Sequence, residues 1–203
     1  MYRPTSPGTL PIELRVDING FKIIFAGNIG EAQSFPTILA AAEKLREYND
    51  IHWLILGDGR MRGWVEGEIE RKQLAGNVHL LGSYPPEVMP AFFAEADILL
   101  VTLKHSPIFS LTIPGKVQSY LACGRPIIAA LDGEGSSLIS RASAGLACPP
   151  EDPEALVRTV LKMYRTPVEE REKMGRSGSE YCRSHFNRAR IFDQLEGWMK
   201  ELI

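Results

Sequence analysis

Six short apolar runs recur along the chain: Phe21–Ala26 (FKIIFA), His52–Leu56 (HWLIL), Val78–Leu81, Ile98–Val101, Pro126–Ala130 and Gly145–Ala147. They do not alternate apolar with polar residues. Runs of this kind predict strands covered on both faces, as in a parallel sheet between two layers of helices. The intervening stretches carry helix signals. Ser34 stands at an N-cap position with Pro36 in the first turn, and Ile38, Leu39, Ala42 and Leu45 follow at helical spacing. Met61–Leu74 reads as a charged helix closed by Gly76-Asn77, Glu87–Ala94 as a short one, and Pro114–Ala122 as a helix ended by Gly124. Asp152 caps a helix that starts at Pro153 and runs to about Tyr164, and Val168–Ser184 and Asn187–Leu202 supply two more. The order is β-α, repeated, then helices. It predicts an α/β fold: a Rossmann-like, doubly wound parallel sheet of about six strands with C-terminal helices.

Composition narrows the class. Of 203 residues, 44% are hydrophobic and 24% charged, values that suit a folded globular chain and not a disordered one. The net charge of −2 gives no overall basic field, so no nucleic-acid partner is expected. Cys123, Cys148 and Cys182 are odd in number and far apart, which suits reduced thiols in a cytoplasmic protein. The four histidines are scattered, and no metal site is expected. No stretch approaches the ~18 apolar residues of a membrane span. Residues 1–20, with their Pro, Ser, Thr and Gly, read as a linker or a truncated interdomain edge, and 21–203 as one domain.

Sheets of this kind bind ligands beyond the carboxyl ends of their strands. The loop after the first strand holds Gly27, Asn28 and Gly30 before a helix; it is either a tight turn or a loop that turns backbone N–H groups toward an anion. The loop after the second holds Gly57, Asp58, Gly59 and Arg60, where Arg60 is either solvated or a phosphate contact. After the third, Tyr84 reads as a packing residue ahead of a wall for a base or sugar. After the fourth comes Thr102–Ile113, containing Lys104 and His105, which runs into Pro114-Gly115-Lys116. A lysine in the first turn of a helix is either a phosphate contact or a plain surface lysine. After the fifth, Leu131–Ser136 is either a glycine-rich rim or a turn with Ser136 opening a helix. There is no G-x-G-x-x-G, no G-x-x-x-x-G-K-[ST] and no G-x-S-x-G. Binding of a phosphate-bearing molecule is therefore better supported than any particular bond-making step.

The segments FAGNIGEAQSF, WLILGDGR, NVHLLGSYPPEVMPAFFAEADILLVTL and SLTIPGKVQSYLACGRPIIAALDGEGS, in that order, resemble the C-terminal, donor-binding half of GT-B-fold retaining glycosyltransferases of family 4. The resemblance covers about residues 15–203. It implies a nucleotide-diphosphate sugar as donor, with no metal and no cofactor. It implies that Gly27, Asn28 and Gly30 face the diphosphate, and that Gly57, Gly59 and Arg60 border the nucleotide. Lys116 then stands near the diphosphate, Ser119 near the ribose, and Phe109, Ser110, Leu111 and Thr112 offer backbone groups to the sugar. The family has an arginine and a lysine where this chain has Asn28 and Gln33, and a pair of glutamates where it has Leu111 and Ser119. The form seen here looks like a subgroup that transfers N-acetylated amino sugars, with a UDP donor, in bacterial surface-polysaccharide (O-antigen or capsule) assembly. Complete enzymes of the family are roughly twice as long. The resemblance thus implies an N-terminal acceptor-binding domain as partner, carrying a catalytic histidine, and membrane contact only through that half, at the inner face of the cell membrane. Trp198 and Phe192, in the last helix, are expected to leave an apolar patch exposed. The alternatives are a stand-alone nucleotide-sugar-binding regulatory module and a related GT-B enzyme such as an epimerase.

Overall fold

The computed structural model describes residues 2–15 and 18–201. Its centre is a six-stranded, fully parallel sheet: β1 (Phe21–Ala26), β2 (Ile51–Leu56), β3 (Val78–Gly82), β4 (Ile98–Thr102), β5 (Ile127–Ala130) and β6 (Gly145–Cys148), in the order β3-β2-β1-β4-β5-β6. The six predicted runs are these six strands, with ends shifted by a residue or two. Successive side chains enter opposite layers. Ile23, Phe25, Trp53 and Ile55 face a core shared with α1 (Phe35–Lys44), α2 (Arg62–Arg71) and α7 (Pro153–Arg165). Ile24, Leu54, Leu99 and Val101 face a second core built with α3 (Met89–Ala94), α5 (Gly115–Cys123) and α6 (Gly133–Arg141). Each large side chain so buried contributes about 1.5–3 kcal/mol. Two further helices, α8 (Val168–His185) and α9 (Arg188–Glu201), close the chain, and a four-residue turn of helix, α4 (Pro107–Ser110), interrupts the long loop after β4.

The helix starts differ from the sequence expectation in instructive ways. Ser34 adopts a left-handed conformation (φ 49°), and its Oγ pairs with Thr37 Oγ1 at 2.8 Å, so it caps no backbone N–H. A 3-10 turn at Glu31–Gln33 precedes it. Helix α2 stops at Arg71, because Gln73 turns left-handed (φ 55°) and the Leu74 N–H donates to Ile69 O at 2.9 Å. Helix α6 begins at Gly133, not at Ser136. Asp152 caps α7 as expected, accepting the Ala155 N–H at 2.9 Å. The expected end of the last helix, Leu202, lies outside the described residues.

The segment read as a linker lies on the second core. Leu10 is buried, Tyr2 stacks on Phe93 with ring centres 6.0 Å apart, and the Gly8 N–H donates to Glu95 Oε1 at 2.6 Å. On α9, Phe192 and Trp198 are 49% and 57% exposed, and Leu195 and Met199 lie beside them, so apolar side chains do reach the surface there.

A part-buried ion pair ties the turn between α7 and α8 to the sheet. Arg171, in the first turn of α8, donates to Asp97 Oδ1 at 2.9 Å and to Thr166 O at 2.6 Å, over the ring of Phe21. Asp97 also accepts the Lys22 N–H at 2.9 Å. Removing one partner of such a pair leaves an uncompensated charge. Asp97→Ala is accordingly expected to lower the unfolding free energy by about 2–3 kcal/mol in urea titrations. Glu154→Ala, which breaks the exposed pair with Lys44, should cost less than about 1 kcal/mol. Equal effects would show that the Arg171–Asp97 contact is no stronger than a surface pair.

Candidate functional site

The chain runs outward from β1 to β3 and then returns to β4, so the strand order reverses between β1 and β4. Loops diverge at such a reversal and leave a crevice above the carboxyl ends of the strands. Here the crevice is a cleft of about 510 Å³, walled by the loops after β1, β2 and β3 and by the start of α5.

Its floor depends on two glycines. Gly57 has φ +137°, and a Cβ there would lie 1.9 Å from Gly27 O, so the loops after β1 and β2 meet backbone to backbone. Gly59 is as constrained: a Cβ would lie 2.3 Å from Ile29 O and 2.5 Å from Asn28 Oδ1. Hydrogen bonds stitch the same loops together, from Gly27 N–H to Leu56 O (2.9 Å), Ile29 N–H to Asp58 O (2.7 Å) and Met61 N–H to Ile29 O (3.0 Å).

Into this cleft α5 brings Lys116. Its stem is partly exposed, but Nζ is buried, has no hydrogen-bond partner, and sits 3.9 Å above the centre of the Phe25 ring. Burial pushes its pKa down to about 7. Lys116 is the one cationic side chain lining the cleft among the described residues. Tyr120, one turn further along α5, fixes its position. Its hydroxyl accepts the Ala26 N–H at 2.9 Å and lies 3.3 Å from Ala26 O, which pins α5 to the last residue of β1. Burial raises the Tyr120 pKa, so the phenol keeps its proton.

Of the residues singled out in the sequence, Gly27, Asn28, Gly57, Lys116 and Ser119 line the cleft together. Gly30 and Arg60 line a neighbouring pocket of about 450 Å³, which meets the cleft at Asn28. Gly59 lies against the backbone between the two. Phe109, Ser110, Leu111 and Thr112 line neither pocket. Phe109 packs on the second core, Ser110 Oγ and Thr112 Oγ1 donate to carbonyls of their own turn, and Leu111 is 79% exposed. Lys104 pairs with Glu31 at 2.8 Å, and His105 Nδ1 lies 2.7 Å from Asp132 Oδ2. Tyr84 both packs and lines: its ring lies 4.5 Å from that of Phe92 and faces the cleft. Sequence reasoning missed Tyr120 and Tyr2. The spacing of Lys116 and Tyr120 is a signal that places both on one face of a helix; nothing in the sequence brings Tyr2 to the cleft. Among the described residues no group of three or more His, Cys, Asp or Glu is placed to hold a metal ion, and no helix is long and apolar enough to cross a membrane.

Comparison with known proteins gives a consistent picture. The family described as "Glycosyl transferases group 1" matches residues 20–166. The probable glycosyltransferase WbjE of Pseudomonas aeruginosa is 30% identical over 138 residues, covering 67% of this chain and 34% of that protein. Among solved structures, HepE of Anabaena in complex with UDP and glucose superposes with a TM-score of 0.76 at 15% identity, over 90% of this chain and 48% of HepE. The C-terminal domain of the group 1 family protein LpcC from Francisella tularensis superposes with a TM-score of 0.67 at 17% identity, over 90% of this chain and 96% of that domain. The chain thus spans about a third of WbjE and about half of HepE. At these identities the superpositions establish the fold.

The buried ammonium has a measurable signature. In the unfolded chain Lys116 titrates near 10.5, and in the folded chain near 7. Below pH 7 both states hold the proton, and the fold bears the full cost of burying the charge. Between pH 7 and 10.5 the unfolded chain binds more protons, so stability rises with pH. Lys116→Met is expected to be the more stable protein at pH 7, and its advantage should shrink by on the order of 2 kcal/mol by pH 9. Parallel stability-against-pH curves for the two proteins would show that Nζ is solvated.

Proposed function

The chain belongs to the glycosyl transferases group 1, and on that premise we propose that it is the donor-binding half of a retaining glycosyltransferase that uses a nucleotide-diphosphate sugar. The observation that carries this reading is the unpartnered, buried Nζ of Lys116, a residue that lines the cleft beyond β1 and β4. A buried cation without a counter-ion is costly, and a diphosphate would supply the missing charge and acceptors at one stroke. The backbone of Gly27 and Asn28 approaches the same place, Gly57 keeps the wall thin, Ser119 stands where a ribose would lie, and Tyr84 offers a face to the base.

In this reading Lys116 does the work that charged residues in the first loop do elsewhere in the family, since this chain has the neutral Asn28 and Gln33 there. An acceptor-binding N-terminal domain closes over the cleft, and Phe109–Thr112, which lines neither pocket, meets the donor sugar only if that closure moves it. That domain supplies the acceptor and the remaining catalytic groups. A UDP-linked N-acetyl amino sugar as donor, and bacterial surface-polysaccharide assembly at the inner face of the membrane as setting, follow from the resemblance of SLTIPGKVQSYLACG to that subgroup. The match to the C-terminal domain of LpcC along nearly its whole length supports the assignment to the C-terminal half. HepE, of the same fold, holds UDP and glucose.

Calorimetric titration of this chain with UDP, GDP, UDP-glucose and UDP-N-acetylglucosamine, with chelator present, tests the reading. One nucleotide is expected to bind with micromolar to millimolar affinity. Lys116→Ala should weaken it about tenfold or more, the value of one charge-assisted hydrogen bond. Binding by none of these ligands, or equal affinity in the variant, would overturn the assignment.

A further inference from the structure

Among the described residues, two buried side-chain polar atoms lack any partner: Lys116 Nζ and Gln33 Oε1. Both flank the single loop that follows β1. A Cβ on Gly27 would lie 3.1 Å from Lys116 Nζ, and a Cβ on Gly30 would lie 3.0 Å from Gln33 Oε1. Two residues separate Gly27 from Gly30, so the Cα atoms of those two glycines are at most roughly 11 Å apart. Lys116 lines the cleft and Gln33 the neighbouring pocket, and Asn28 lines both. One elongated ligand running past Asn28 can therefore reach both.

The two orphans ask for opposite chemistry. The ammonium calls for negative oxygen. The amide carbonyl is an acceptor and calls for an O–H or N–H. A molecule that joins a diphosphate to a sugar carries both, in that order. Of the pocket's other polar groups, Asn28 Nδ2 lies nearest, 2.4 Å from where a Cβ on Gly30 would stand, yet it makes no hydrogen bond to Gln33 Oε1. Glu31 is engaged with Lys104, and Arg60 is exposed at the rim. The backbone of Gln33 is held in place from β4: Thr102 Oγ1 donates to Gln33 O at 2.6 Å, and the Lys104 N–H donates to Ala32 O at 2.8 Å. The side chain is thus carried on a fixed base while its carbonyl is left unsatisfied, a state that costs stability and that a ligand would relieve.

We infer that Gln33 reads the transferred sugar: its side-chain carbonyl accepts a hydrogen bond from a hydroxyl or acetamido N–H of the donor sugar while Lys116 holds the diphosphate. This rests on the donor-binding reading above and adds to it where the sugar sits and which residue selects it. Gln33 makes no bond to the nucleotide.

The test is calorimetry of wild type and Gln33→Met with UDP, UDP-glucose and UDP-N-acetylglucosamine, together with melting of the ligand-free proteins. In wild type the sugar adds affinity over UDP alone. In Gln33→Met that gain falls about tenfold, the worth of one buried hydrogen bond, while UDP itself binds as before. The ligand-free melting temperature stays the same or rises, because an unsatisfied buried carbonyl has been removed. A drop confined to UDP-N-acetylglucosamine identifies the acetamido N–H as the donor group, and a drop for both conjugates identifies a hydroxyl. A sugar gain that survives the substitution, an equal loss for UDP and its conjugates, or a wild type that gains nothing from the sugar overturns the inference. Failure of wild type to bind UDP or either conjugate strikes at the donor-binding reading instead, so the two are told apart.

Discussion

Gly57 and Gly27 meet where the loops after β1 and β2 leave the sheet, and the rest of the site is arranged around that meeting. With no Cβ at 57, the two backbones approach to a distance that any other residue would prevent. The approach lets Ile29 and Asp58 bond across the gap, brings Asn28 over Gly59, and leaves room above for a ligand. Helix α5 then adds the cleft's one cation among the described residues, held at the right height by the Tyr120–Ala26 contact. The division of labour is simple: backbone shapes the cleft, and a single side chain from a separate helix charges it.

That arrangement is paid for in stability. A lysine without an acid and a glutamine carbonyl without a donor both lie in places a core would fill with apolar atoms. The two cores on either face of the sheet, with Trp53, Phe25, Phe93 and Tyr120 among their largest members, supply the surplus. Violations of local packing logic in an otherwise consistent fold concentrate where a ligand is to be met.

Much of this was legible in the sequence. Strands buried on both faces announce themselves as unbroken apolar runs, and the six runs are the six strands. Gly27, Gly57 and Lys116 could be found because a Rossmann-like sheet confines its ligands to the loops beyond its strands. Other features were hidden for physical reasons. The left-handed turns at Ser34 and Gln73 fall on residues with no preference for that conformation, and hydrogen bonds within the turns hold them. The Arg171–Asp97 pair joins residues 74 positions apart, and neither carries a local signal. The stretch Phe109–Thr112 reads as an open loop, but Phe109 is an apolar anchor that folds it into a turn on the second core. Gln33 looked like the loss of a charge. Only its burial reveals an acceptor in waiting.

The sheet order also governs when the cleft comes into being as the chain leaves the ribosome. β1 pairs with β2 along six residues, and β2 with β3, so half the sheet can form once Gly82 has been added. β1 meets β4 through two register pairs only, Ile23 with Ile98 and Ile24 with Leu99. Its far edge and last amide stay open until β4 and the α5 tyrosine arrive. During synthesis the nascent half-sheet therefore exposes an unpaired apolar edge, the kind of surface chaperones cover. Every wall of the cleft has been made once α5 has emerged, before β5 and β6 extend the sheet and α7 covers its first core.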